Sequence, residues 1–174
     1  MREKALTTSN LVAQLAATLG VPFIAAAFLA AYMIYGASFF SGRDNIWTIV
    51  AYLAALATMM PHELLHAVGY MVAGGKKWAD FNFKMKFPVS ASIQFNGDMQ
   101  VNGFLVGALL PFVVTSLVPI AAGLLFGNFY LLSYGCLEAL ACGSDLQISL
   151  MTWKYRGMTC YDPGITGIVV KLGE

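Results

Sequence analysis

Residues 59–70, MMPHELLHAVGY, contain the side chains of this chain that are best suited to bind a metal ion. His62, Glu63 and His66 form an H-E-x-x-H pattern, and the chain has no other histidine. On a helix, positions i and i+4 share one face with Cβ atoms about 5–6 Å apart, so both imidazoles can reach one zinc ion. The glutamate can then contact a metal-bound water and act as a general base. The spacing predicts a site for one zinc ion, with His62 and His66 as ligands and Glu63 as the catalytic acid–base.

The structural alternative is a pair of core histidines, each bonded to a neighbouring carbonyl. The surrounding sequence is apolar enough for a membrane span, where each ionisable group costs about 2.5–3.5 kcal/mol or more. A metal site would explain why the chain carries these costly groups, because the histidines have ligand spacing and the glutamate has the matching offset. Together they favour metal binding over the structural alternative.

The composition predicts the elements that must hold this motif. Of the 174 residues, 59% are hydrophobic and 11% are charged, whereas a soluble domain has about 25% charged residues. A spanning helix needs about 20 apolar residues. The first apolar segment follows a short basic head, but its run is too long for a signal peptide, so we expect a retained helix. The sequence predicts a single all-α polytopic membrane domain, residues 1–174, with four transmembrane helices at about 11–40, 46–74, 103–126 and 129–153.

The distribution of basic residues predicts the orientation. With four spans, the two termini and the segment 75–102 share one face, and that face has nine of the ten Lys and Arg residues. Arg43 is on the other face. This asymmetry predicts a multi-pass protein of the cell membrane with both termini cytoplasmic. The nine residues are Arg2, Lys4, Lys76, Lys77, Lys84, Lys86, Lys154, Arg156 and Lys171.

The net charge argues against a nucleic-acid partner, and the cysteines argue against a disulfide-bonded fold. A formal net charge of +1 gives no field that would attract nucleic acid. The expected partners are the lipid bilayer and a peptide or membrane-protein substrate. Cys136, Cys142 and Cys160 show no CxxC spacing, so they indicate buried free thiols rather than a disulfide framework.

A third zinc ligand is expected in the fourth apolar segment, because catalytic zinc usually takes three protein ligands. Glu138, Cys142 and Asp145 follow one another at i+4 and i+3, which puts them on one helical face. Measured from the cytoplasmic ends of the spans, Asp145 lies within about 3 Å of the depth of the histidines, and Glu138 about 8 Å further out. Asp145 is therefore the predicted third ligand. Three roles remain open for Glu138: a partner for a histidine N–H, part of a proton path, or a structural acid. For Cys142 we favour a packing role over that of a thiolate ligand.

A β-hairpin is predicted over about 79–97, on the cytoplasmic side between the second and third helices. In FNFKMKF (81–87) and SASIQFNG (90–97), apolar and polar residues alternate, and Pro88-Val89 separates the two runs. Two roles remain open for it. Its edge could pair with an extended substrate, or its apolar face could lie against lipid headgroups.

Three smaller features have structural and functional interpretations. Pro61 predicts a kink just before the motif, which would admit water or simply be tolerated. Gly143 would allow a close helix approach near the site. Asn102, at the start of the third span, could donate to an oxyanion, but we favour an N-cap.

From about residue 46 to 150 the chain resembles the polytopic zinc metalloproteases, with HELLH on one span and GSD (143–145) on a later one. It looks most like small bacterial membrane proteins classed as putative zincin peptidases, and it is more distantly similar to site-2 proteases. The resemblance implies His62, His66 and Asp145 as zinc ligands and Glu63 as acid–base. Unlike site-2 proteases, the chain has Leu146 after its aspartate and no Asn-Pro before it.

The expected function is zinc-dependent hydrolysis of a peptide bond by a membrane-embedded peptidase, near the cytoplasmic leaflet. The alternative is a non-catalytic zinc-binding membrane scaffold or an ion-pathway protein. A structural membrane protein without metal is a third interpretation. Glu63 discriminates between the first two, because hydrolysis requires it and metal binding does not.

Overall fold

The computed structural model describes residues 2–7, 10–41, 44–86, 90–164 and 167–172, with the backbone alone at 10–19, 85–86 and 90–91. In these ranges the helices are α1 (Asn10–Tyr35), α2 (Asn45–Ala57), α3 (Met59–Gly74), α4 (Val101–Pro111), α5 (Val118–Leu125), α6 (Phe129–Ala141) and α7 (Gly143–Thr152). The strands are β1 (Arg2–Leu6), β2 (Phe81–Lys86), β3 (Ser90–Phe95), β4 (Met99–Gln100), β5 (Thr159–Tyr161) and β6 (Ile168–Leu172).

The helices α4 and α5 form one continuous helix over Val101–Leu125. A π-helical segment, Phe112–Leu117, joins them directly after Pro111. The Thr115 hydroxyl donates to the carbonyl of Pro111 at 2.9 Å. Among the described residues this is the one unbent helix that is long and apolar enough to span a membrane.

The second predicted span is wrong as a single straight helix. It consists of α2 and α3, which are bent by 44°. The bend lies at Thr58, whose hydroxyl donates to the carbonyl of Ala54 at 2.6 Å. Pro61 then lies in the first turn of α3 rather than in a helix interior, where its missing N–H leaves no hydrogen bond unmade. A new helix therefore begins at the motif.

The prediction of an all-α fold with four transmembrane helices is wrong. The fourth segment breaks at Cys142 into α6 and α7, and α6 has 13 residues, fewer than the roughly 20 that span a bilayer. In α1, the residues Gly20–Tyr35 form an apolar helix that is shorter than a membrane span. Within the described ranges one helix qualifies as a span, or two if α2 and α3 count as one.

An antiparallel four-stranded sheet, in the order β1-β6-β5-β4, also contradicts the all-α prediction. Arg2 pairs with Leu172 and Leu6 with Ile168, so the two ends of the chain lie side by side. Leu6, Ile168 and Val170 are buried in the core. The strands β4 and β5, with two and three residues, are too short for an alternating pattern, and neither REKAL in β1 nor IVVKL in β6 alternates apolar and polar residues.

The strands β2 and β3 form the hairpin between α3 and α4, with Phe81 opposite Phe95. Both phenylalanines are buried against Tyr70 of α3, with ring centroids 6.4 and 5.3 Å from the Tyr70 ring. These aromatic contacts dock the apolar side of the hairpin on the helix that carries the H-E-x-x-H motif. As a result, β3 lies beside the motif.

Glycines let α3 and α4 approach closely. A Cβ on Gly69 would lie 2.5 Å from the Cα of Gly107, and one on Gly103 would lie 2.5 Å from the Cα of Gly74. Such distances exclude any larger side chain unless the helices separate. Close contact between small residues brings backbone groups of one helix within reach of side chains of the next.

Candidate metal centre

The structure brings together His62, His66 and Asp145, the three predicted zinc ligands. The Nε2 atom of His62 lies 3.1 Å from Oδ2 of Asp145, and Nε2 of His66 lies 3.5 Å from the same oxygen. One ligand atom from each residue lies within 4.8 Å of the others. The helical pair on α3 thus faces a carboxylate on α7, as the depth comparison predicted.

These distances fit a zinc ion. Bonds from zinc to nitrogen or oxygen are about 2.0–2.2 Å long, so two ligand atoms on a tetrahedral ion lie about 3.3–3.6 Å apart. The two nitrogen–oxygen distances, 3.1 and 3.5 Å, are close to that separation. Two imidazoles and one carboxylate are also a donor set that catalytic zinc takes, with its fourth position left for water or substrate.

A backbone carbonyl orients His66. Its Nδ1 donates to the carbonyl oxygen of Gly107 at 2.9 Å, across the glycine contact between α3 and α4. A neutral imidazole with its proton on Nδ1 has its lone pair on Nε2, the nitrogen that faces Asp145. His66 is therefore held in the tautomer that a metal ligand requires.

Cys142 lies on the far side of His62 from the cluster. Its sulfur is 3.9 Å from Nδ1 of His62, whereas Asp145 faces Nε2. Cys142 is fully buried and does not belong to the ligand group. Its position agrees with the packing role that the sequence favoured.

Glu63 is held by the hairpin. Its Oε2 accepts a hydrogen bond of 2.8 Å from the backbone N–H of Ile93 in β3. The N–H of Ile93 is thus directed away from β2 and toward the motif. The outer edge of β3 and the proposed acid–base group are in direct contact.

A cavity of about 600 Å³ adjoins the cluster. His62, Glu63 and Asp145 line one side of it. Its other lining residues are the apolar Ala55, Leu56, Met59 and Ala141 and the polar Glu138 and Ser144. The volume is within the usual range for small-ligand sites and is enough for a few residues of peptide.

A sequence profile of a family described as putative zincin peptidase matches residues 55–159, more than half of the chain. The chain belongs to the putative zincin peptidase family. The match begins near the end of α2 and ends at the start of β5, so it includes every residue of the candidate metal cluster and of the cavity lining. No curated protein and no solved structure matches the chain.

Glu138 and Asn102, which the sequence also indicated as candidates, differ in their position relative to the cavity of this zincin-family chain. Glu138 lines the cavity and is 3% exposed. Asn102 is exposed on α4 and does not line the cavity. The predicted N-cap is also wrong, because Gln100 is the N-cap residue of α4.

Sequence reasoning missed two residues that orient the predicted site, Gly107 and Ile93. Gly107 ends the stretch GFLVG (103–107), a G-x-x-x-G pattern within an apolar run, which is a known signal for close helix packing. Ile93 contributes only its backbone N–H. No side-chain pattern could have indicated that contact.

Proposed function

We propose that this chain is a zinc-dependent peptidase that hydrolyses a peptide bond at a membrane. One observation supports it above the others: the three ligand atoms converge within 4.8 Å, and Glu63 lines the same cavity. A site that merely stores metal needs no carboxylate beside the ligands. Membership of a zincin peptidase family supports the same chemistry.

In this proposal His62, His66 and Asp145 hold one zinc ion. When bound, the ion polarises the scissile carbonyl and makes water a better nucleophile at neutral pH. Glu63 takes a proton from the attacking water and later gives it to the leaving amine. Its Oε2 accepts a hydrogen bond from the N–H of Ile93, and this bond orients the carboxylate for the proton transfer.

The substrate should bind in an extended conformation. A helical segment cannot present its carbonyl, because its own hydrogen bonds enclose the backbone. An edge of the hairpin over 81–95 could pair with an extended substrate by strand addition, apart from the N–H of Ile93, which already donates to Glu63. Such pairing would align a peptide with the cavity.

The proposed location is the cell membrane, with the site near the cytoplasmic leaflet and both termini cytoplasmic. The apolar helix Val101–Leu125 supports membrane association. The pairing of β1 with β6 supports a common side for the two termini. Nine of the ten Lys and Arg residues lie in the two terminal segments and in 75–102, and the sheet joins these three segments through β1, β6, β5 and β4.

The experiment compares metal content and cleavage in five proteins purified in detergent without chelators: wild type, His66→Ala, Asp145→Ala, Glu63→Gln and Glu3→Gln. Zinc is measured by plasma mass spectrometry, and cleavage with a library of internally quenched peptides. We expect about one zinc ion per chain in the wild type and little in the two ligand variants. Glu63→Gln should retain zinc and lose cleavage. Glu3, which is exposed on β1, provides the matched Glu→Gln control.

Two results would reject the peptidase proposal. Wild-type protein that contains no zinc, and takes up none when zinc is added, would exclude a zinc site. Zinc-loaded Glu63→Gln protein that cleaves as fast as the wild type would exclude Glu63 as the acid–base. Zinc binding without cleavage of any library peptide would favour the scaffold alternative.

A further inference from the structure

Glu138 has a position that the proposed hydrolysis does not use. It lies on α6, two helical turns before Asp145, and lines the cavity with the metal cluster. Only 3% of its surface is exposed. A carboxylate so deeply buried is costly unless a cation or several hydrogen-bond donors accompany it.

The described residues supply Glu138 with two hydroxyl donors but with no cation. Its carboxylate interacts with the hydroxyls of Thr58 and Thr115. Each hydroxyl has one proton and also lies within hydrogen-bonding distance of a backbone carbonyl, at Ala54 or Pro111, so the carboxylate shares both donors with other acceptors. No ion pair forms at Glu138 in the described part of the chain.

Three carboxylates line the cavity, at Glu63, Glu138 and Asp145, and a bound divalent ion would supply only two positive charges. A divalent ion would be balanced by Asp145 and Glu63, which leaves the charge of Glu138 without compensation. Among the residues that the structure describes, no lysine or arginine lines the cavity. The missing positive charge can therefore come from a bound substrate.

We propose that Glu138 is a specificity residue that binds a cationic nitrogen of the substrate. The inference rests on the proposed peptidase function. The cationic group is either a lysine side chain near the scissile bond or the free α-amine of the substrate. The apolar wall of Ala55, Leu56 and Met59 suits the aliphatic stem of lysine, and the buried carboxylate suits its ammonium group.

Cleavage of matched peptides tests this assignment. Internally quenched nonapeptides of Ala, Gly and Leu carry one lysine at successive positions, and a second set carries norleucine in its place. Both sets are made with free and with acetylated N-termini. Lysine peptides with an acetylated N-terminus report the effect of the side-chain amine. Norleucine peptides with a free N-terminus report the effect of the α-amine. The ratio of kcat/KM for each cationic peptide to its neutral match is measured for wild type, Glu138→Gln and Glu138→Asp.

We expect the wild type to prefer one class of cationic peptide by about tenfold or more, as for a buried charge pair. Glu138→Gln, which keeps the shape and removes the charge, should lower that ratio at least tenfold. Glu138→Asp, which keeps the charge, should retain part of the preference. A purely structural Glu138 would change both rates together and leave the ratio unaltered. That result, or a wild type without any preference, would overturn the inference.

Binding separates this inference from the peptidase proposal. Fluorescence anisotropy of labelled lysine and norleucine peptides is measured with Glu63→Gln protein and with the Glu63→Gln, Glu138→Gln double variant. If the Glu63→Gln protein binds the lysine peptide more tightly than the norleucine peptide and the double variant does not, the subsite is supported. This result would count even if the wild type cleaves no peptide. Equal binding of both peptides by Glu63→Gln protein overturns it.

Discussion

The carbonyl oxygen of Gly107 on α4 accepts a 2.9 Å hydrogen bond from Nδ1 of His66 on α3. This one contact fixes which nitrogen of the imidazole faces Asp145. It exists because a glycine stands at position 107. A Cβ there would lie 2.1 Å from the Tyr70 ring, so the two helices would have to separate.

Replacement of Gly107 by alanine should therefore weaken both the fold and the metal site. Overpacking of this kind costs about 1–3 kcal/mol or more in the free energy of unfolding. Loss of the partner that orients a metal-bound histidine typically lowers metal affinity about 10- to 100-fold. Thermal unfolding in detergent and competition with a fluorescent zinc chelator measure the two effects.

Gly20→Ala is the matched control for Gly107→Ala. The Cβ at position 20 would meet only the end of the Leu140 side chain, at 3.2 Å, and that flexible group can move. Zinc affinity in this variant should equal that of the wild type. If Gly107→Ala also binds zinc with wild-type affinity, the Gly107 carbonyl does not orient His66.

The grouping of His62, His66 and Asp145 was predictable from the sequence because most of its information is local. The spacing of His62 and His66 puts both on one face of any helix, whatever its neighbours. Asp145 required one additional step, an estimate of depth. That estimate remained useful although the assumed straight spans were wrong, because Asp145, in the first turn of α7, still reaches the two histidines of α3.

The kink that Pro61 predicted just before the motif is confirmed by the 44° bend, as a break between two helices, but the four-stranded sheet was not predictable in the same way. An apolar run gives the length of a span, but Thr58 and Pro61 together end α2 and start α3 there. The sheet joins the first and last strands of the chain, and such distant pairing leaves no periodic signal. Local patterns therefore predicted the site better than the fold.

Zinc should stabilise the protein against heat, because only the folded chain brings the three ligands together. At a free zinc concentration 100 times the Kd, the gain is about 2.7 kcal/mol, or about 5–10 °C in Tm for a domain of this size. Differential scanning fluorimetry with zinc and then with chelator measures the shift. Asp145→Ala should show little shift, and Asp98→Ala, which removes an exposed carboxylate, should show the full one. A zinc-dependent Tm that persists in Asp145→Ala would place the metal elsewhere.

The three cysteines should resist alkylation in the folded protein, because all are buried. Burial raises the pKa of the Cys160 thiol to about 12, so little thiolate, the reactive form, is present at pH 8. Mass spectrometry after treatment with N-ethylmaleimide should find Cys160 unmodified in detergent and modified in denaturant. Ala79→Cys, at an exposed position, should react at once and shows that the reagent is active. Rapid reaction of Cys160 in the folded state would contradict the burial of β5.

Substitution of Ile93 by proline should impair hydrolysis without removing zinc. Proline lacks the N–H that donates to Glu63, yet that N–H is not directed toward β2, so the hairpin loses no hydrogen bond between its strands. Without this contact the carboxylate can rotate away from the attacking water, and such misplacement costs about 10- to 100-fold in kcat/KM. Ile93→Ala keeps the N–H and removes only the side chain, so it separates orientation of Glu63 from packing of the hairpin. Peptide cleavage is measured for both variants at equal zinc content. If Ile93→Pro cleaves as well as Ile93→Ala, the backbone of β3 does not orient the acid–base group.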